Sequence, residues 1–275
     1  MKSIIFTDLD GTLLDFQDYS YSVVEPVVYQ LQARKIPVVF CSSKTRVEQE
    51  YYRQALHNTH PFIVENGSAV FIPMGYFSFS LSEKLVNYPI AETSRYQVVI
   101  LGENARKVRE SIEQARQQID IHIDGYADLP IKEIMAITHL DEAFAQRAAT
   151  RDFSETLLRG DKSGEKFQQF QQFLAGRNLS CASGGKFHTV MGMGSDKGKA
   201  VEVLTRLYQR QFCEIQTIGL GDSANDLPLL QAVDQGYLVQ KPDGKWLEGV
   251  GENIKRVTGI GPIGWVKVAE SVISV

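Results

Sequence analysis

The sequence predicts an α/β protein, with a doubly wound and mostly parallel sheet that carries helices on both faces and is interrupted by a second unit. Three observations predict it. Short apolar, β-branched runs alternate with amphipathic helical patterns at both ends of the chain. Polar residues stand directly behind several of those runs: Asp8, Ser42 and Asp222 each follow a predicted strand. The alternation also breaks near Pro73 to Ser82, a stretch of Gly, Pro, Ser and aromatics that reads as a junction, and it resumes after about residue 191.

Composition narrows the function classes. A chain of 275 residues, 43% hydrophobic and 23% charged, has the makeup of an ordinary globular protein with a sizeable core. A net charge of -4 argues against a nucleic-acid partner, since phosphate backbones call for a basic face. Cys41, Cys181 and Cys213 cannot all pair within one chain and show no close metal-ligand spacing, which fits a reduced, cytoplasmic protein. The first residues enter a strand with no signal-peptide layout, and no apolar run approaches a membrane span, so no membrane partner is expected.

Each element has its own signal. Ile4, Ile5 and Phe6 read as a buried strand that runs into Asp8, Asp10 and Gly11. Ser22-Val-Val-Glu25 reads as a capping box opening a helix with an apolar stripe at Val23, Val27 and Leu31. Ile36 to Cys41 is a strand ending at Ser42, and Thr45-Arg-Val-Glu48 is a second capping box. Phe62 to Val64, the Glu65-Asn66-Gly67 turn and Ala69 to Ile72 predict a strand and a hairpin. Beyond the junction come a strand (Tyr96 to Leu101), a charged helix (Glu103 to Gln118), one helical stretch from Pro130 to about Thr150, a strand near Ser154 to Leu158, and a helix from Glu165 to Leu174. A Gly-Gly hairpin from Leu179 to Met191 closes this block. Helix Asp196 to Gln211, strand Glu214 to Gly219, helix Asn225 to Val233, strand Tyr237 to Gln240 and a helix after Gly264 complete the chain.

Asp8 and Asp10 alone read equally well as a solvated Asp-Gly turn, since two close carboxylates repel unless a cation or a proton stands between them. In a doubly wound sheet, however, ligands sit beyond the carboxyl ends of the strands, at the switch point of strand order. The stretch GLGDSANDLPLL (219–230) supplies a second acidic cluster for that edge. Gly219, Gly221 and Ala224 match the weak G-x-G-x-x-A dinucleotide fingerprint, but Asp222 and Asp226 would repel a pyrophosphate from that turn. Two carboxylate clusters at one edge instead form a hard-oxygen site of the kind Mg²⁺ prefers. Lys197, at a helix start, and the Ser42 hydroxyl would complete a phosphoryl-transfer site.

DLDGTLLD (8–15), Ser42 behind its strand, Lys197 in DKGKA and GDSAND (221–226) resemble, in order, the four motifs of haloacid-dehalogenase-type phosphatases. The resemblance spans nearly the whole chain and implies a Rossmann-like doubly wound core (1–81 and 192–275) with an inserted α+β cap of type II (82–191). It implies Asp8 as nucleophile, Asp10 as general acid and base, and Ser42 and Lys197 as phosphate-side residues. Mg²⁺ would be held by Asp8, the Asp10 main-chain carbonyl and Asp222, with Asn225 and Asp226 completing the shell.

Within the sugar-phosphatase branch, CSSKT (41–45), VENG (64–67), SGGKFHTVMG (183–192) and DKGKAV (196–201) resemble members acting on mannosyl-3-phosphoglycerate. This implies a small phosphorylated sugar-glycerate substrate, a place in synthesis of the compatible solute mannosylglycerate, and a monomer or dimer. The hairpin more often reads GGRF there, so Lys186 departs from the pattern. Arg159, Lys186 and His188 are the cap candidates for the glycerate carboxylate or sugar hydroxyls. Competing readings are a sucrose-, trehalose- or hexose-phosphate phosphatase on the same core, or a receiver-like phospho-aspartate module. Receivers lack an acid at the position of Asp10 and lack the insertion.

Overall fold

A computed structural model describes residues 1–81, 87–184 and 187–274. The chain runs β1 (Lys2–Thr7), α1 (Glu25–Ala33), β2 (Val38–Cys41), α2 (Arg46–Ala55), β3 (Phe62–Val64), β4 (Ala69–Pro73), β5 (Ile90–Glu92) and β6 (Tyr96–Ile100). There follow α3 (Ala105–Ile119), β7 (Ile123–Gly125), α4 (Ile131–Thr138), α5 (Glu142–Ala149), β8 (Ser154–Gly160), α6 (Gly164–Ala175), β9 (Leu179–Gly184) and β10 (Phe187–Gly192). It closes with α7 (Lys197–Phe212), β11 (Ile215–Gly221), α8 (Leu227–Gln231), β12 (Gln235–Gln240), β13 (Ile254–Ile260) and α9 (Pro262–Ile273).

Among the described residues, nine strands form one sheet in the order β13-β12-β11-β1-β2-β3-β4-β6-β5. The pairs from β13 to β3 are parallel and those from β3 to β5 antiparallel. β1 is central and reads as a continuous apolar run because both its faces are covered. Ile5 packs with Leu31 of α1 and Trp265 of α9, while Ile4 and Phe6 pack with Leu204 of α7 and Leu229 of α8. A second, antiparallel sheet orders as β7-β8-β10-β9. Helices α3 and α6 cover one of its faces through Val108, Ile112, Phe167 and Phe170, against Leu157 and Val190. On its other face Leu158 joins Ile134 of α4 and Ala145 of α5.

Four expectations are corrected. Helix α1 starts at Glu25 and has no side-chain cap, so the Ser22 box does not form. Pro26 sits in the first turn, where its missing N–H costs nothing and its fixed φ suits the helix start, and Val23 is left 52% exposed. The single helical stretch from Pro130 is broken at His139, whose left-handed φ of 63° ends α4; Asp141 then caps α5. The Pro73 to Ser82 stretch is not a bare junction where it is described: Phe77 and Leu81 are buried, and Tyr76 Oη lies 2.9 Å from Tyr208 Oη.

The fourth correction concerns the insertion. β5 and β6 lie within the expected 82–191 segment, yet they extend the large sheet by pairing onto β4. The hairpin of β3 and β4 leaves an open sheet edge, and an edge recruits the next strand that can pair. At the opposite edge, β13 had no counterpart in the sequence reading, because Lys255, Arg256 and Thr258 interrupt its apolar residues and only Ile254 is buried.

Candidate active site

β11, β1 and β2 are adjacent and parallel, so the residues behind their carboxyl ends meet at one edge. Asp8 follows β1, its backbone N–H donating to Leu220 O at 2.9 Å. Asp222 follows β11 and Ser42 follows β2. Lys197, the first residue of α7, buries its whole side chain between two carboxylates, with Nζ 2.6 Å from Asp8 Oδ1 and 2.5 Å from Asp226 Oδ1. The other Asp226 oxygen accepts from the backbone N–H groups of Asp222 (3.1 Å) and Ser223 (3.0 Å). Asp226 therefore fixes both the ammonium and the turn that carries Asp222.

Two glycines permit the close approaches. Gly11 adopts φ +73°, and a Cβ there would lie 3.3 Å from Asp222 Oδ2. Gly67 adopts φ +91°, and a Cβ there would stand 2.0 Å from the carbonyl oxygen of Asp196. The 65–67 turn thus seats directly on the residue that caps α7 and precedes Lys197.

The electrostatics follow from three buried carboxylates around one ammonium. Burial first, and the neighbouring Asp226 carboxylate second, raise the Asp8 carboxyl well above its usual range. The same two causes push Asp222 up to about 7. Burial works against charge on Lys197, but Asp226 and Asp8 outweigh it and hold the ammonium above its ordinary value. Asp8, Asp222 and Asp226 each present an oxygen within 4.8 Å of the others. Hard carboxylate oxygens with excess negative charge fit a divalent cation. Asp226 is already saturated, which leaves Asp8 and Asp222 as the open side-chain donors.

The other sequence-predicted residues are placed as follows. The Ser42 hydroxyl accepts from Lys44 N at 3.2 Å, and its carbonyl accepts from Asn66 N at 3.0 Å. The Asn225 side chain is held by Ser223 Oγ (2.6 Å) and by Asn66 Oδ1 (3.3 Å), so it braces two loops. Asp10 keeps a side chain 36% exposed, although its Oδ1 is buried against Lys44.

The cap candidates are not gathered here. Arg159 is paired with Asp124 (2.8 Å) and Glu133 (2.7 Å). His188 shares a sheet face with Val190 and lies tilted against Phe167, ring centroids 4.9 Å apart, on the face covered by α3 and α6. Strand alternation turned it toward those helices. Lys186 lies outside the described residues.

Three functional-looking residues had no role in the sequence reading. Lys44 is buried, with Nζ 3.0 Å from Asp10 Oδ1 and 3.5 Å from Glu48 Oε1. Glu65, fully buried, accepts from the backbone N–H groups of Asp152 (2.9 Å) and Phe153 (3.2 Å). Arg151 lies 3.6 Å from Glu65 and donates to Ser43 O at 3.1 Å, while Thr45 Oγ1 donates to Arg147 O at 2.9 Å. These bonds tie the entry to β8 onto the loops behind β2 and β3. The available signals were a lysine between a buried strand and a capping box, and the CSSKT and VENG stretches that contain Lys44 and Glu65.

A family model for haloacid dehalogenase-like hydrolases matches residues 5–244, and the chain belongs to that family. A glucosyl-3-phosphoglycerate/mannosyl-3-phosphoglycerate phosphatase of Methanococcoides burtonii is 41% identical over 266 residues, 96% of this chain and 95% of that protein. A mannosyl-3-phosphoglycerate phosphatase of Pyrococcus horikoshii is 34% identical over 87% of this chain and 91% of its own length. In fold, the chain is similar to a haloacid dehalogenase-like hydrolase from Bacteroides thetaiotaomicron, with a TM-score of 0.70 at 16% identity, covering 99% of this chain and 100% of that one. No helix among the described residues is long and apolar enough to cross a membrane.

Proposed function

We propose that this protein hydrolyses mannosyl-3-phosphoglycerate or glucosyl-3-phosphoglycerate to the glycosylglycerate and phosphate through an aspartyl-phosphate. The observation that carries the chemistry is the buried Asp8–Lys197–Asp226 cluster beside Asp222. The substrate rests on the names of relatives that match the chain almost end to end.

A carboxylate oxygen of Asp8 attacks phosphorus in line with the leaving oxygen. Asp10 gives its proton to the departing glycerate oxygen, then takes one from the water that attacks the aspartyl-phosphate. Its exposure suits a group that must reach substrate and water in turn, and Lys44 holds it by a 3.0 Å contact. The Lys197 ammonium offsets charge on Asp8 and on the transferring group. The Ser42 hydroxyl has a proton to donate to a phosphate oxygen. Mg²⁺, held by Asp8, Asp222 and the Asp10 carbonyl, would supply counter-charge for the phosphate. Asn225 and Asp226 act behind those ligands by fixing the turn.

The cap is the unit from α3 to β10, and it excludes water and selects the alcohol part of the substrate. We place the enzyme in the cytoplasm, as a monomer or dimer, where its three unpaired cysteines stay reduced.

The test is a panel of phosphate esters with Mg²⁺: the two glycosyl-3-phosphoglycerates, sucrose and trehalose phosphates, and simple hexose phosphates. The expected kcat/KM for a glycosyl-3-phosphoglycerate exceeds that for any hexose phosphate by at least ~10-fold, the discrimination of one added set of contacts. Equal values across the panel would overturn the substrate, and full activity in excess EDTA would overturn the metal.

A further inference from the structure

Away from Asp8, a groove of about 620 Å³ opens along the outer side of α2. Its walls come from both units: Glu50, Tyr51 and Arg53 on α2, Arg95 and Tyr96 where β6 begins, and Arg147 on α5. Its charge balance is unusual. The single lining carboxylate, Glu50, is already shared, with Oε1 2.9 Å from Arg95 and Oε2 2.9 Å from Arg46. Arg53 and Arg147 have no ion-pair partner among the described residues.

Arg53 is the more telling of the two. Only 7% of it is exposed, and its direct contacts are Phe62 (4.3 Å to the ring centroid), His60 O (2.6 Å) and Tyr96 Oη (3.3 Å), all of them uncharged, while the Glu50 carboxylate acts on it only from beyond ion-pair distance. Its Nε, buried, has no hydrogen-bond partner. The guanidinium of Arg147 lies over two aromatic rings, 4.7 Å from the centroid of Tyr51 and 5.0 Å from that of Phe144. Burying an unpaired charge is costly, and an unused buried donor adds to that cost. Planar guanidinium forks match the oxygens of carboxylates and phosphates.

The geometry points to a second binding site in this groove for a small oxyanion, a phosphate or an organic polycarboxylate, held by Arg53, Arg95 and Arg147. The volume admits a metabolite-sized ligand. Because Arg147 belongs to the cap helix α5 and Arg53 to the core helix α2, the ligand clips cap to core. This inference does not depend on the proposed substrate.

Equilibrium dialysis of the full chain with Mg²⁺ against radiolabelled inorganic phosphate, and separately against citrate, tests it. The readout is the number of equivalents bound by the wild type minus the number bound by Arg95→Ala/Arg147→Ala, so binding near Asp8 cancels. The expected difference is one equivalent for at least one probe, and the probe that shows it identifies the oxyanion. Arg53→Gln should raise the dissociation constant by ~10-fold or more, the loss of one charge-assisted contact. Turnover of p-nitrophenyl phosphate by the double variant within about twofold of wild type shows that it is folded. No difference with either probe overturns the site.

Discussion

At the scale of single residues, Asp222 makes metal binding a function of pH. Burial and the Asp226 carboxylate push its carboxyl up to about 7, and a cation takes only the ionised form. Mg²⁺ affinity is therefore expected to fall by at least about tenfold per pH unit below that value, more steeply where Asp8, whose carboxyl is also raised, takes up its proton. Calorimetric titration of the metal across this range checks it, and a flat profile would remove Asp222 from the ligand set. Asp8→Asn is expected to abolish turnover with the fold intact, since Asp226 still pairs the buried Lys197 ammonium. Asp10→Asn is expected to lose roughly 100- to 10,000-fold on an alkyl phosphate but far less on p-nitrophenyl phosphate, whose leaving group needs no proton. Equal losses on the two esters would refute the general-acid role.

At the scale of elements, the loop of Glu65 is the joint between the two sheets. Its carboxylate faces two backbone donors, Asp152 N and Phe153 N. Glu65→Gln would turn an amide N–H₂ toward them or toward Arg151, leaving buried donors opposed. We expect a loss of roughly 2 to 4 kcal/mol in urea unfolding. A second element-scale contact is the chain from His60 Nδ1 to Tyr76 Oη (2.7 Å) to Tyr208 Oη (2.9 Å), which binds the 73–81 segment to α7. Burial, with the charges of Arg53 and Lys2, lowers the His60 imidazole from 6.5 to about 4. The unfolded chain takes up a proton between those values and the folded chain does not. Stability tied to His60 is thus complete above pH 6.5 and is lost as pH falls toward 4, by up to ~1.4 kcal/mol per pH unit. His60→Gln should flatten that part of the stability profile. Parallel profiles for variant and wild type would refute the assignment.

At the scale of the whole molecule, selectivity depends on which face of the second sheet meets the core. Thr156 and Thr189, 3.0 Å apart through their hydroxyls, lie on the face opposite Val190 and His188. His188→Ala is therefore expected to leave KM for a glycosyl-3-phosphoglycerate within about twofold of wild type, the neutral range for a residue off the site. A large rise in KM with unchanged kcat would restore His188 to substrate binding.

Local chemistry determined much by itself. The apolar runs fixed β1, β2, β11 and β12 because strands covered on both faces carry near-continuous apolar stretches. Polar residues immediately behind such runs pointed to Asp8, Ser42 and Asp222, because parallel neighbours bring their carboxyl ends to one edge. The Thr45–Glu48 box formed, since all its bonds lie within four residues. Only the tertiary structure decided the rest. It gave β5 and β6 to the large sheet, set the face of His188, occupied Arg159 with Asp124 and Glu133, and brought Lys44 to Asp10 and Glu65 to β8. Those outcomes hang on edge availability, strand parity and long-range partners, and a buried charge reveals its partner only once the chain has closed around it.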